Sequence, residues 1–117
     1  MKIMIVDDHA DMRRMLRSIV SLGSSDVHEI IECSDGEEAL KQYTIHRPDL
    51  VLMDIQLKAM NGFEVTERIH AMDPLAKIVF VTSHDTPMYR TKARELRAKA
   101  FISKDNLTEL DQLILHP

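Results

Sequence analysis

Five residues stand out for the chemistry that their types and positions allow: Asp7, Asp8, Asp54, Thr82 and Lys104. Asp7 and Asp8 follow the apolar run IMIV (3–6), and Asp54 follows LVLM (50–53). Thr82 follows IVFV (78–81), and Lys104 lies just beyond AFI (100–102). Paired carboxylates at the end of a buried strand need compensation, because charge near an apolar core is costly when left alone. If the three carboxylates converge, each pair repels by about 4 kcal/mol at roughly 4 Å and an effective dielectric near 20. Lys104 offsets one of the three formal charges and leaves two. A divalent hard cation would balance them, and carboxylate oxygens with retained waters are what Mg²⁺ prefers. Without it, at least one carboxylate is expected to hold its proton to higher pH than usual. The pair Asp7 and Asp8 is therefore expected to hold a metal. Such a metal, beside an ammonium and a hydroxyl, suits a phosphoryl group: the cation and Lys104 neutralise its oxygens while Thr82 donates a hydrogen bond. Asp54 is then the candidate nucleophile, since carboxylates form aspartyl-phosphate intermediates.

These residues converge only if the chain brings the ends of several strands together. Apolar runs rich in Val and Ile recur every 21 to 28 residues: IMIV (3–6), EII (29–31), LVLM (50–53), IVFV (78–81) and AFI (100–102). Being continuous rather than alternating, they predict parallel strands buried on both faces. Helical periodicity fills the intervals. Met12, Met15, Leu16, Ile19 and Val20 make one apolar stripe, with Gly23 as its expected stop. Ser34 or Asp35 can cap a helix carrying Ala39, Leu40 and Tyr43, bounded by Pro48. Val65, Ile69 and Met72 mark a third helix before Pro74; a fourth runs from Pro87 to about Leu96, with Ser83 its expected cap; Leu107, Leu110 and Ile114 mark a fifth. Strict βα alternation predicts an α/β fold: a doubly wound, five-stranded parallel sheet in the order 2-1-3-4-5, with helices on both faces. Ligands of such sheets bind beyond the carboxyl ends of the strands at the reversal between strands 1 and 3. Asp7, Asp8 and Asp54 follow those two strands.

The bulk composition narrows the classes. At 117 residues the chain is expected to form one domain over 1–117. An apolar share of 44% with 29% charged residues is that of a soluble globular protein. No apolar run exceeds four residues, so no membrane span is expected, and no export signal is read at the N-terminus. The lone Cys33 excludes an internal disulfide and suits a reducing cytoplasm. A formal net charge of −4 gives no reason to expect nucleic-acid binding. His9, His28, His46, His70, His84 and His116 never fall at close ligand spacing and read as scattered surface and boundary residues.

Taken together, the stretches IMIVDDHADMRRML, PDLVLMDIQLKAMNG, VFVTSHD and AFISKDNL resemble the receiver domain of bacterial two-component response regulators, over essentially the whole chain. The resemblance implies a flavodoxin-like fold and a phosphoacceptor domain rather than an enzyme. It implies that Asp54 accepts phosphate from a phosphohistidine on a sensor histidine kinase or phosphotransfer protein. It implies a Mg²⁺ site of Asp7, Asp8, Asp54 and the backbone carbonyl of Gln56. Thr82 and Phe101 match the family's switch pair and Lys104 its phosphate-binding lysine. Gln56 and His84 match positions that flank the path of the hydrolytic water and tune dephosphorylation. Four positions depart from the family pattern: Leu57 and Lys58 replace a common Met-Pro, Arg97 stands where Gly is frequent, and Asp105 where Pro is. A left-handed backbone at Arg97 would cost on the order of 1 kcal/mol.

Blander readings exist for each residue: Asp7 and Asp8 as caps of the first helix, Lys104 as a solvated lysine, Phe101 as a half-buried core aromatic, and the run Arg90, Lys92, Arg94, Arg97, Lys99 as a solvated face. The reading adopted is a phosphorylation-controlled switch whose fourth helix, fifth strand and fifth helix form the responsive surface. Its downstream partner would be an effector or a fused output domain, or a second copy of the chain. In that dimer the basic fourth helix (Arg90, Lys92, Arg94) would meet the partner's acidic fifth (Asp105, Glu109, Asp111). The rivals are a Mg²⁺-dependent phosphatase with an aspartyl-phosphate intermediate, disfavoured by the absence of a DxDxT motif, and an unphosphorylated interaction module of the same fold.

Overall fold

A computed structural model describes residues 1–115. Five strands and five helices alternate: β1 Lys2–Val6, α1 Ala10–Gly23, β2 Glu29–Cys33, α2 Gly36–His46, β3 Leu50–Met53, α3 Gly62–Met72, β4 Ile78–Thr82, α4 Pro87–Glu95, β5 Ala100–Ser103 and α5 Glu109–Leu115. The strands form one sheet in the order β2-β1-β3-β4-β5, and every pairing is parallel. The inner strands β1, β3 and β4 are apolar almost throughout because each face of the sheet is covered, whereas the edge strand β2 carries Glu29 and Glu32 around Ile30 and Ile31. Met4, Val6, Val51, Met53, Ile78 and Phe80 point to a core closed by α2, α3 and α4. Ile3, Ile5, Leu50, Leu52, Val79 and Val81 point to the opposite core, closed by α1 and α5.

The helix ends are set locally. Asp35, not Ser34, caps α2 by accepting from the Glu38 N–H at 2.8 Å. The helix stops at Arg47, in a left-handed conformation just before Pro48. Asn61 caps α3 and Thr86 caps α4, with Pro87 at the first helical position. The expected cap Ser83 lies three residues too early, because the connection after β4 is longer than a minimal turn. Gly23 is likewise no stop: it is the last helical residue of α1, and no described glycine has positive φ. Within the α1 stripe, Leu16 and Val20 are buried while Met15 is 50% exposed, at the margin of the packed face. Leu107 and Asp105 precede α5 on a turn rather than opening it.

Arg97 does take the left-handed backbone, at φ 59°, as does Ala59 at 67°, and all described peptide bonds are trans, including that before Asp105. His116 lies outside the described residues.

Candidate functional site

Backbone pairing at the carboxyl edge of the sheet places the site. The Asp54 N–H donates to the Val6 carbonyl at 2.9 Å, and the Lys104 N–H to the Thr82 carbonyl at 2.8 Å, so each functional residue continues the ladder by one step beyond its strand. Thr82 itself is the last residue of β4, paired with Ser103, rather than the first residue after it. The loop after Asp54 is pinned by the start of α3: the Gly62 N–H donates to the Ile55 carbonyl at 2.8 Å. A Cβ on Gly62 would collide with the carbonyl oxygen of Asp54 and with Ile55 Cα, so only glycine lets the helix approach the backbone of Asp54 this closely.

Asp7, Asp8, His9 and Asp54 each bring one ligand-type atom within 4.8 Å of the others. Asp7 is 1% and Asp54 4% exposed. Lys104 Nζ stands 2.9 Å from Asp7 Oδ2 and donates to Asp54 Oδ2 at 3.3 Å. Asp7 Oδ1 accepts from the His9 N–H at 2.9 Å, and Asp54 Oδ1 from the Gln56 N–H at 3.4 Å. Two oxygens are left over: Asp7 Oδ2 and Asp8 Oδ1 are buried and form no hydrogen bond, although Lys104 Nζ and His9 Nδ1 lie at ion-pair distance, 2.9 and 3.0 Å. Buried acceptors in this state are uncommon in a folded protein and mark a place where a cation would be stabilised. The donor set of hard oxygens suits Mg²⁺.

The charges act on one another as the excess of carboxylates requires. Burial, with the neighbouring Asp7 carboxylate, raises the pKa of Asp54 above the usual range, and Lys104 only partly opposes this. Burial alone would pull the Lys104 ammonium down, but its contacts with Asp7 and Asp54 outweigh that and hold it charged. The sequence-level expectation of at least one raised carboxylate is met at Asp54.

Thr82 is fully buried, and its hydroxyl accepts from the His84 N–H at 3.1 Å, within its own loop. Gln56 and His84 are exposed at the rim. Phe101 is half-buried at the edge of the core that contains Phe80, and the Arg90 guanidinium carbon lies 4.8 Å from its ring centroid. The run of basic residues is not a uniformly free face: Arg90 pairs with Asp85, and Lys92 lies 3.7 Å from Glu67.

Sequence reasoning missed His9, whose Nδ1 sits 3.2 Å from Asp7 Oδ1 and 3.0 Å from Asp8 Oδ1. Scanning histidines against one another concealed it; its adjacency to two aspartates at the entry to α1 was the available signal. The fork that Arg90 donates to Asp85 was also missed, because Asp85 lies in a loop rather than on the helix that carries Arg90.

Three lines of comparison agree with this geometry. The family described as response regulator receiver domain matches residues 3–115. The chain is 36% identical over 104 residues to the chemotaxis protein CheY of Listeria monocytogenes, covering 89% of this chain and 86% of that one. It is also 36% identical over 103 residues to the CheY of Thermotoga maritima, covering 88% and 84% of the two chains. Among solved structures, response regulator protein TrrA from Thermotoga maritima in complex with Mg(2+)-BeF superposes with a TM-score of 0.84 at 30% identity, covering 97% of this chain and 96% of that chain. The sheet order, the acidic edge and these matches have one common account: the chain belongs to the response regulator receiver domain family of two-component signalling.

Proposed function

We propose that this receiver domain is a phosphorylation switch in which Asp54 takes a phosphoryl group from a phosphohistidine on a sensor kinase or phosphotransfer protein. The observation that carries the reading is the pairing of a buried Asp54, its pKa raised by burial and by Asp7, with Lys104 at 3.3 Å, beside the oxygen-rich Asp7–Asp8 pair. An Asp54 carboxylate oxygen would form the new bond to phosphorus as the bond to the donor's imidazole nitrogen breaks, and the released imidazole takes up a proton. Asp7 and Asp8, with Asp54 and the Gln56 carbonyl, are the proposed holders of Mg²⁺. When bound, that cation supplies charge neutralisation for the phosphoryl oxygens. Lys104 sits where it would pair with one of those oxygens after Asp54 is esterified. Thr82 would exchange its bond from the His84 N–H for one donated to the adduct.

The change would pass to the surface of α4, β5 and α5, which would then bind a downstream effector, an output domain or a second copy of the chain. The dimer version now rests on fewer free charges, because Arg90 and Lys92 already have partners within the molecule.

Acetyl phosphate with Mg²⁺, borohydride trapping and mass spectrometry test the acceptor directly. The adduct is expected on Asp54; a label on another residue, or equal labelling of Asp54→Asn, overturns the reading.

A further inference from the structure

The loop between β4 and α4 carries a contact that links Thr82 to Phe101 through side chains rather than through the sheet. The Thr82 hydroxyl holds the loop backbone at His84, accepting its N–H at 3.1 Å. The next residue, Asp85, receives two hydrogen bonds from Arg90, Nε to Oδ1 at 2.6 Å and an Nη to Oδ2 at 2.9 Å. This fork-on-fork arrangement fixes the plane of the guanidinium as well as its position. The fork holds the Asp85 carboxyl below its usual range. The guanidinium so fixed lies over Phe101, 4.8 Å from the ring centroid. The preceding residue, Tyr89, packs edge-to-face on Phe63 with centroids 5.4 Å apart, so consecutive residues of α4 tie the helix to α3 and to β5.

We infer that Asp85 and Arg90 form a latch on Phe101, closed while the Thr82 hydroxyl holds the β4–α4 loop and opened when that hydroxyl is drawn to an adduct on Asp54. The inference rests on the reading of Asp54 as acceptor. Its physical basis is that the first two contacts meet in one short loop and the last two share the Arg90 guanidinium. If Thr82 gives up the His84 N–H, the segment bearing Asp85 loses its anchor. The fork then loses its alignment, and the cation leaves the ring face. Arg90 and Asp85 act as positioning residues, through Phe101. A latch present only in the resting state biases the domain against the activated one, so removing it should favour activation.

The test is a titration of the chain with beryllofluoride and Mg²⁺, followed by nuclear magnetic resonance with labelled phenylalanine. Parent, Asp85→Asn, Arg90→Gln and the double variant are compared. Both side chains are partly exposed and outside the core, so the fold should persist, and thermal melts control for it. Each single variant is expected to bind the mimic about two- to fivefold more tightly than the parent, the range of one partly exposed cation–ring contact. The double variant should bind no more tightly than either, because both substitutions remove the same latch. Without any ion, the Phe101 ring resonance of the variants should already be shifted toward its position in the mimic-bound parent. Parent-like affinity in both variants with an unmoved Phe101 ring overturns the latch, as does additivity in the double variant. If the parent does not take up the mimic, the acceptor reading is what fails. In that case the ion-free comparison still tests the contact: a Phe101 ring resonance in Asp85→Asn, which keeps Arg90, identical to the parent's overturns the latch, and a displaced one supports it.

Discussion

Lys104 Nζ lies closer to Asp7 Oδ2 than to Asp54 Oδ2, 2.9 against 3.3 Å, although Asp54 is the residue proposed to react. The ammonium therefore bridges the proposed metal-holding edge and the proposed acceptor, and serves as the site's own counter-charge. At 12% exposure it is screened poorly by solvent. Removing it takes away the ammonium that lies 2.9 and 3.3 Å from two of the three clustered carboxylates. Lys104→Met is expected to lose about 3–5 kcal/mol of stability in chelator, the range for breaking a buried pair. It should regain much of this in millimolar Mg²⁺, by mass action. Urea unfolding in both conditions checks it, and a variant as stable as the parent in chelator would show that the pair contributes nothing. The companion variant Asp8→Ala is expected to lose most of the Mg²⁺-dependent rise in melting temperature that the parent shows.

The raised pKa of Asp54 has a consequence for stability that can be signed. Its folded value lies above 3.8, its ordinary one. Between the two, the native state holds a proton that the unfolded chain has released. Stability contributed by this group therefore falls as pH rises from about 3.8 through the folded value, and stays lost above it. In chelator, the parent should be less stable relative to Asp54→Asn at neutral pH than near pH 4, and Mg²⁺ should shrink that difference. Denaturant melts of the two proteins across this range measure it; parallel curves would mean that Asp54 titrates as an ordinary carboxylate.

Two glycines make opposite predictions. At Gly62 an added methyl group collides with the backbone of Asp54 and Ile55, so Gly62→Ala should cost about 1–3 kcal/mol and slow phosphorylation of Asp54. At Gly23 the nearest atom to an added Cβ is Asp111 Oδ1 at 3.6 Å, an ordinary contact in a helical position. Gly23→Ala should thus be neutral or stabilising by up to ~1 kcal/mol. Chemical denaturation of both variants, with acetyl phosphate labelling of the first, decides between these effects.

The contrast also shows what the sequence could and could not reveal. Continuous apolar runs located all five strands because burial on both faces leaves no room for alternation, and the residues just beyond them located Asp7, Asp8, Asp54 and Lys104. Gly23 was misread because a glycine after a periodic stripe looks the same whether the backbone turns left-handed there or stays helical. Ser83 was misread as a cap because Thr86, three residues on and directly before Pro87, offers the same hydroxyl and takes the Tyr89 N–H. His9 and Asp85 escaped for a related reason. Their partners are fixed by side-chain direction at a loop, which periodicity does not encode. The left-handed backbone at Arg97 was legible as a conditional cost, since the pattern of relatives marked the position. Arg97→Gly should gain up to ~1 kcal/mol, less the extra freedom it gives the unfolded chain.

The lifetime of the adduct is expected to depend on Gln56 and His84. Both side chains are exposed at the rim of the site, whereas their backbone N–H groups serve it from within. The Gln56 N–H donates to Asp54 Oδ1 at 3.4 Å, and the His84 N–H to Thr82 Oγ1 at 3.1 Å. Replacing either side chain with alanine keeps those bonds and leaves the proposed acceptor Asp54 in place. What changes is the space and polarity that an approaching water meets. Gln56→Ala and His84→Ala should therefore alter decay of the phosphoprotein by about three- to tenfold, or ~0.7–1.4 kcal/mol in the barrier. Labelling by acetyl phosphate should change by less than about twofold, since the groups that stabilise the transferring phosphoryl group are untouched. Single-turnover decay after removal of the donor, set beside the initial labelling rate, separates the two steps. Decay unchanged in both variants would remove these side chains from the hydrolytic path, and a parallel loss of labelling would place them in acceptance instead.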